Sequence, residues 1–324
     1  MRSIMKAFMT TLVGLLSLVL LSAGTAASAA EKSFPLEAKK ILFLGDSITH
    51  AGNYIAWIET QLRMQGVEPM PEMLNVGLSS ETCSGLSEPA HPFPRPDVHE
   101  RLQRALEQLK PDVVVACYGM NDGIYHPFNE TRFAAYQAGV NKLIERVHAS
   151  GAKLVLMTPP PFDAVPLKSS GKLKPAGSGE YAYFAMYENY DDVLRQYAAW
   201  IMEQRGRVEM VIDLHTPFDA YLTAQRKTDP SFSMTPDGIH PNLQGQRLLG
   251  EIILKAWGVP TQVEPNPELL KLVTQRMTLL HDAWLSQIGH KRPGVKAGLP
   301  VAEAEAKAAE LRQAILMLTS VKQP

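Results

Sequence analysis

The 324 residues are 45% hydrophobic and 20% charged, which excludes a disordered or fibrous chain and fits a folded globular one. Acidic and basic side chains nearly cancel, at a formal charge of −1, so no basic surface for nucleic acid or an anionic membrane is indicated. The two cysteines, Cys83 and Cys117, are too few for a disulfide scaffold and wrongly spaced for a zinc knuckle.

The first element reads as a cleavable export signal, with an uncleaved anchor as the alternative. Arg2 and Lys6 precede an apolar run over 12–21 and a small-residue stretch ending in Ala27-Ser28-Ala29, the pattern of a cleavable secretory segment covering 1–29. The apolar run falls short of the roughly 20 residues that span a bilayer. A secreted or periplasmic protein without stable membrane insertion is therefore expected. Cleavage would remove two basic residues and no acidic one, taking the formal charge from −1 to −3.

Residues 36–260 alternate β-rich runs with helix-length segments. The runs predict strands at 40–44, 73–76, 113–118, 153–157 and 208–214; the segments predict helices near 53–65, 97–109, 130–149, 187–205 and 241–257. The runs at 113 and 153 are almost unbroken in Val, Leu and Ala, as strands buried on both faces require. Cys117 lies in the first of these and reads as a small buried hydrophobe. Export would permit its pairing with Cys83 without requiring it. The alternation predicts a three-layer α/β/α fold, a flavodoxin-like parallel sheet of about five strands with its active site at the carboxyl ends of the strands.

Two stretches depart from the rhythm. Residues 159–182 open with Pro159-Pro160-Pro161 and continue Gly-, Ser- and Lys-rich, too long for an ordinary connection. This insertion leaves the carboxyl end of a strand, so it borders the expected site. Of the aromatics that follow, Tyr187 and Tyr190 are expected in the core, while Tyr181, Tyr183 and Phe184 offer surface for a sugar or acyl group. The second stretch is the tail, 261–324. Leu269, Val273, Met277, Leu280, Trp284 and Ile288 recur at helical spacing, and an Ala-rich second helix follows with Leu311, Ile315 and Leu318. Together they predict a helical hairpin appended to the main domain. Its connector, His290-Lys291-Arg292-Pro293-Gly294, reads as solvated surface, with reach toward a substrate or partner as the alternative.

Four short blocks carry the chemistry. Gly45-Asp46-Ser47-Ile48-Thr49 follows the first strand, Asn75-Val76-Gly77 the second and Gly119-Met120-Asn121-Asp122 the third; Asp237-Gly238-Ile239-His240 precedes the last helix of the domain. Each block alone has a bland reading. Ser47 and Asp237 suit helix N-caps, Gly77 a tight turn and Asn121 a loop cap. All four, however, fall at the same edge of the predicted sheet. In composition and order they resemble the SGNH hydrolase family, also called the GDSL esterases, over roughly residues 39–258. The resemblance implies Ser47 as nucleophile, His240 as its base and Asp237 as the acidic partner. It also implies an oxyanion hole made by the Ser47 and Gly77 amides and the Asn121 side chain.

The residue types suit that reading. A serine hydroxyl needs an adjacent base near neutral pH, and the imidazole needs a carboxylate to fix its tautomer. Asp46 is expected to brace its loop, whereas His50, Asp122 and His126 are the nearest further candidates for substrate contact. No histidine cluster has metal-ligand spacing, so neither metal nor cofactor is expected. The expectation is a secreted serine esterase acting on a small-molecule or glycan ester, with O-acetyl groups of a carbohydrate preferred. A lipid or general carboxylesterase is the nearest alternative, and a binding module that does not catalyse is the alternative of another class.

Overall fold

The computed structural model describes residues 34–260 and 264–320; the expected export signal, 1–29, lies outside them. Strands β1 (Lys40–Gly45), β2 (Glu72–Asn75), β3 (Val113–Cys117) and β4 (Lys153–Met157) match the predicted runs closely, and the two-residue β5 (Leu173–Lys174) and β6 (Met186–Tyr187) precede a short β7 (Met210–Ile212). Five of these form one parallel sheet in the order β2-β1-β3-β4-β7, while β5 and β6 form a separate parallel pair. The register sets Gly45 beside Cys117 and Cys117 beside Met157. Strands β1, β3 and β4 therefore end level, and the loops leaving them share one edge. Every residue of β3 is buried, as its unbroken apolar run requires.

The helices are α1 (Ser47–Ala51), α2 (Asn53–Met64), α3 (Leu102–Leu109), α4 (Glu130–Ala149), α5 (Tyr190–Met202), α6 (His215–Gln225), α7 (Leu243–Ala256), α8 (Pro267–Ile288) and α9 (Val301–Ser320). Right-handed crossovers from a sheet whose order reverses at β1 put α2 on one face and the later crossover helices on the other. Packing follows that division. Helix α2 meets α7; α4 meets α5 through stacked Tyr136 and Tyr197, ring centroids 4.5 Å apart.

Several boundaries differ from the sequence reading for local reasons. The segment predicted as one helix over 97–109 is split, because Asp97 caps a short 3-10 turn at Val98–Glu100 before α3 begins. Helix α5 starts three residues later than predicted, since Tyr187 belongs to β6. Helix α6 was not predicted; its start is held by Thr158 Oγ1, which accepts from the N–H groups of Leu214 and His215 at 2.8 and 3.1 Å. That support comes from the end of β4, so no local pattern announces it. The insertion at 159–182 is partly ordered by β5. Cys83 and Cys117 are both free, buried thiols.

The tail forms the expected hairpin. Leu269, Val273, Met277, Leu280 and Ile288 of α8 are buried, and this face packs on α2 and on β2, an edge strand of the sheet. His281 Nδ1 reaches the Asn75 carbonyl at 3.1 Å, so α8 covers an edge that would otherwise present unpaired backbone. Helix α9 buries Ala304, Ala308 and Ile315. Leu318, expected on that face, is 37% exposed.

Candidate active site

The sheet reverses direction of winding between β1 and β3, and at such a switch point the diverging loops leave a crevice at the carboxyl ends of the strands. Asp46 occupies the turn out of β1. Its carboxylate accepts from the Ile48 N–H at 3.0 Å and caps α1, so Ser47 is the first helical residue and its hydroxyl is free of capping duty. The cap is buried, and burial pushes the Asp46 carboxyl up to about 7, against the opposing pull of the Ile48 hydrogen bond and the His240 charge.

His240 Nε2 lies 2.7 Å from Ser47 Oγ. Its other nitrogen, Nδ1, lies 2.6 Å from Asp237 Oδ2. The second carboxylate oxygen, Asp237 Oδ1, accepts from the N–H groups of Ile239 and His240 at 3.0 and 2.7 Å. Asp237 thus holds the imidazole and the turn that carries it. The cap of α7 is Asn242, which accepts from Gly245. Burial opposes ionisation of Asp237, but the hydrogen bonds and charge of His240 outweigh it and hold the carboxyl at about 2. Burial likewise disfavours the charged imidazole, yet the bond to Asp237, its charge and that of Asp46 raise the His240 pKa above the ordinary value.

The oxyanion donors expected from the sequence fare differently. Ser47 sits at the start of α1, where an N–H precedes the intrahelical ladder. Asn121 is buried, with one Nδ2 hydrogen committed to the Glu81 carbonyl at 3.1 Å and Oδ1 accepting from the Tyr125 hydroxyl at 2.9 Å. Its orientation is therefore fixed, and the remaining N–H belongs to the cleft that Asn121 lines. Gly77 is a correction. Its N–H donates to Asn75 Oδ1 at 2.8 Å, and a side chain there would begin 2.5 Å from the His50 backbone nitrogen. This glycine serves close packing of the loop on α1. The residue missed is Ser80, which lines the cleft beside Ser47 and Asn121 in the left-handed region at φ 67°. Its N–H goes to no protein acceptor among the described residues. A serine in that conformation carries no local signal, so the sequence could not single it out.

Residues 43–248 match the GDSL-like Lipase/Acylhydrolase family. The chain belongs to that family. It is accordingly a carboxylic ester hydrolase. No curated protein sequence is significantly similar to it. Among solved structures, a gut microbial diltiazem-metabolizing enzyme superimposes with a TM-score of 0.52 at 19% identity, over 70% of this chain and 48% of its own. The GDSL hydrolase thus spans about half of that enzyme's length. Axe2, an acetylxylan esterase from Geobacillus stearothermophilus, gives 0.50 at 19% identity over 70% of this chain and 97% of its own. At such identities the likeness is one of fold.

The cleft that Ser47 and His240 line in this GDSL hydrolase has a volume of about 420 Å³. The three further candidates for substrate contact lie outside it. Asp122 is buried and accepts from the Cys83 and Ser84 N–H groups at 2.8 and 2.7 Å; burial lifts its carboxyl to about 6 despite those bonds. It ties two loops together. His50 faces the Gly77 carbonyl and the ring of His281, 4.6 Å away. His126 stacks near Tyr181 and lines a second cavity of about 760 Å³ formed with the 159–182 insertion. Tyr190 is in the core, its hydroxyl donating to the Met120 carbonyl at 2.9 Å, whereas Tyr183 and Phe184 are exposed between the two hollows.

Behind the cleft, the Glu81 carboxylate is gripped by Arg101 through two bonds of 2.6 Å and by the Tyr118 hydroxyl at 2.7 Å. Arg95 pairs with Glu88 at 2.6 and 2.7 Å. These buried ion pairs brace both sides of Ser80 and Asn121, and no spacing in the sequence advertised them.

Proposed function

We propose that the GDSL hydrolase is an exported serine esterase that removes O-acetyl groups from a carbohydrate. The unbroken line of hydrogen bonds from Asp237 through His240 to Ser47 carries this reading. Ser47 Oγ attacks the ester carbonyl as His240 Nε2 takes its proton. Asp237 holds the tautomer that leaves Nε2 free to accept and stabilises the imidazolium. The carbonyl oxygen, now negative, is met by the N–H groups of Ser47 and Ser80 and by Asn121 Nδ2. Collapse of the tetrahedral adduct expels the alcohol, protonated by His240, and leaves an acetyl-enzyme. Water, deprotonated by the same imidazole, then releases acetate and restores Ser47.

The preference for acetyl esters of sugars rests on two supports. Axe2, of like fold, is an acetylxylan esterase, and the exposed ring of Tyr183 in the cleft, with Phe184 beside it in the neighbouring hollow, offers a stacking face suited to a pyranose. Export rests on the pattern of residues 1–29.

The test is acetate release by purified protein from a panel of acetylated polysaccharides, alongside a p-nitrophenyl ester series from acetyl to octanoyl. Acetyl should be the preferred acyl group, and Ser47→Ala should lose turnover while keeping its circular dichroism spectrum. A preference for octanoyl would replace the carbohydrate reading with a lipid one. Unchanged turnover in Ser47→Ala would end the mechanism.

A further inference from the structure

The connector between α8 and α9 lies well beyond the residues that match the family, yet Arg292 lines the same cleft as Ser47 and His240. The connector is pinned. Arg104 donates to the Ile288 and Gly289 carbonyls at 2.6 and 3.2 Å, and the Arg292 N–H donates to His290 Nδ1 at 3.2 Å. Its guanidinium lies 5.2 Å over the ring of Phe93, a contact that helps hold it in place.

The charge on Arg292 is unspent. Nε is shielded from water and so from a ligand, Nη1 donates to the Pro293 carbonyl at 3.0 Å, and Nη2 has no hydrogen-bond partner among the described residues. Among the described residues no carboxylate pairs with it. Arg95, in the same cleft, is fully paired with Glu88, and burial depresses the Arg292 pKa while the Glu88 bonds overcome burial at Arg95. Lys172, exposed at the rim, likewise has no carboxylate partner among the described residues. Asp237, the carboxylate lining the cleft, is already bound to His240. The unmatched charge of the site is therefore positive.

A half-buried guanidinium whose Nη2 lacks an acceptor can gain a charge-assisted hydrogen bond from a ligand carboxylate. We propose that the C-terminal extension makes the enzyme selective for esters whose alcohol portion carries a carboxylate, as in an acidic sugar, with Arg292 as the contact and Lys172 as an accessory charge at the entrance. The inference rests on the esterase reading above.

The experiment compares 4-acetoxybenzoate with its neutral methyl ester as substrates for the full-length protein at low ionic strength, each rate divided by that ester's own hydroxide-catalysed rate. Wild type should favour the anionic ester in kcat/KM by about tenfold or more, as one charge-assisted hydrogen bond allows. Arg292→Gln should bring the ratio close to one through a raised KM for the anionic ester, Arg292→Lys should keep part of the preference, and added salt should lower the ratio in wild type. No preference in wild type, or one untouched by Arg292→Gln in a protein of native circular dichroism, overturns the proposal. Failure to cleave either ester would instead strike the esterase reading itself and remove the proposal with it.

Discussion

Ser47 and His240 stand 193 positions apart in the chain, and their side chains meet at 2.7 Å. The contact is made between the turn after β1 and the turn before α7, each fixed by its own carboxylate: Asp46 for one and Asp237 for the other. The hydroxyl and the imidazole are thus positioned by separate local devices that the sheet brings together.

The first prediction concerns pH. In the proposed mechanism His240 must be neutral to accept a proton, and its raised pKa means that kcat/KM falls as pH drops through a value above the ordinary 6.5. Asp237→Asn removes the charge and hydrogen bond that raise it, so the acid limb should move to lower pH while kcat falls by roughly 10⁴. A pH–rate profile checks both; an acid limb that stays in place would detach Asp237 from the base.

The second separates the proposed oxyanion donors from packing residues. Asn121→Ala should lower kcat by about 10²–10³ with little change in KM. Ser80→Gly keeps the amide and relieves a left-handed serine, a strain of roughly 1–2 kcal/mol, so activity should persist while Tm does not fall. Gly77→Ala should lower Tm, since its new Cβ meets the backbone of α1. Steady-state kinetics and thermal melts together distinguish the three outcomes.

The third follows from Asp46. Its carboxyl titrates at about 7 in the fold against an ordinary 3.8; the raised value means the fold favours the neutral acid. Stability from this group is full below 3.8 and is lost as pH rises toward and through about 7. Asp46→Asn retains an acceptor for the Ile48 N–H and cannot ionise. The Tm of the variant relative to wild type should therefore climb between pH 4 and pH 8. A difference that is flat with pH would contradict the buried titration.

The fourth addresses the bracing pair. Arg101→Met leaves the Glu81 carboxylate buried without its main partner and should cost about 3–5 kcal/mol of stability, read as a shift in the denaturant midpoint. The double variant Glu81→Gln with Arg101→Met should recover much of that loss. Equal instability of single and double variants would point to packing rather than charge.

The sequence alone determined the five strands of the main sheet but not the short β5 and β6 pair, because a run such as 113–117 is apolar enough to demand burial on both faces whatever surrounds it. It determined where Ser47, Asn121 and His240 fall, each next to the end or start of a regular element. The amphipathic period of α8 likewise announced that the tail must dock. What it left undecided were relations between distant segments: that Gly77 spends its amide on Asn75, that Ser80 stands in the cleft, that Asp122 ties loops rather than binding substrate, and that α6 begins where Thr158 supplies its first acceptor. The same holds for Arg292, which as a run of letters looks like any solvated basic connector. Periodicity reports how a segment meets its own immediate surroundings, whereas the fate of a hydrogen-bonding or charged group depends on which partner another part of the chain delivers to it, and only the folded sheet with its covering helices makes that choice.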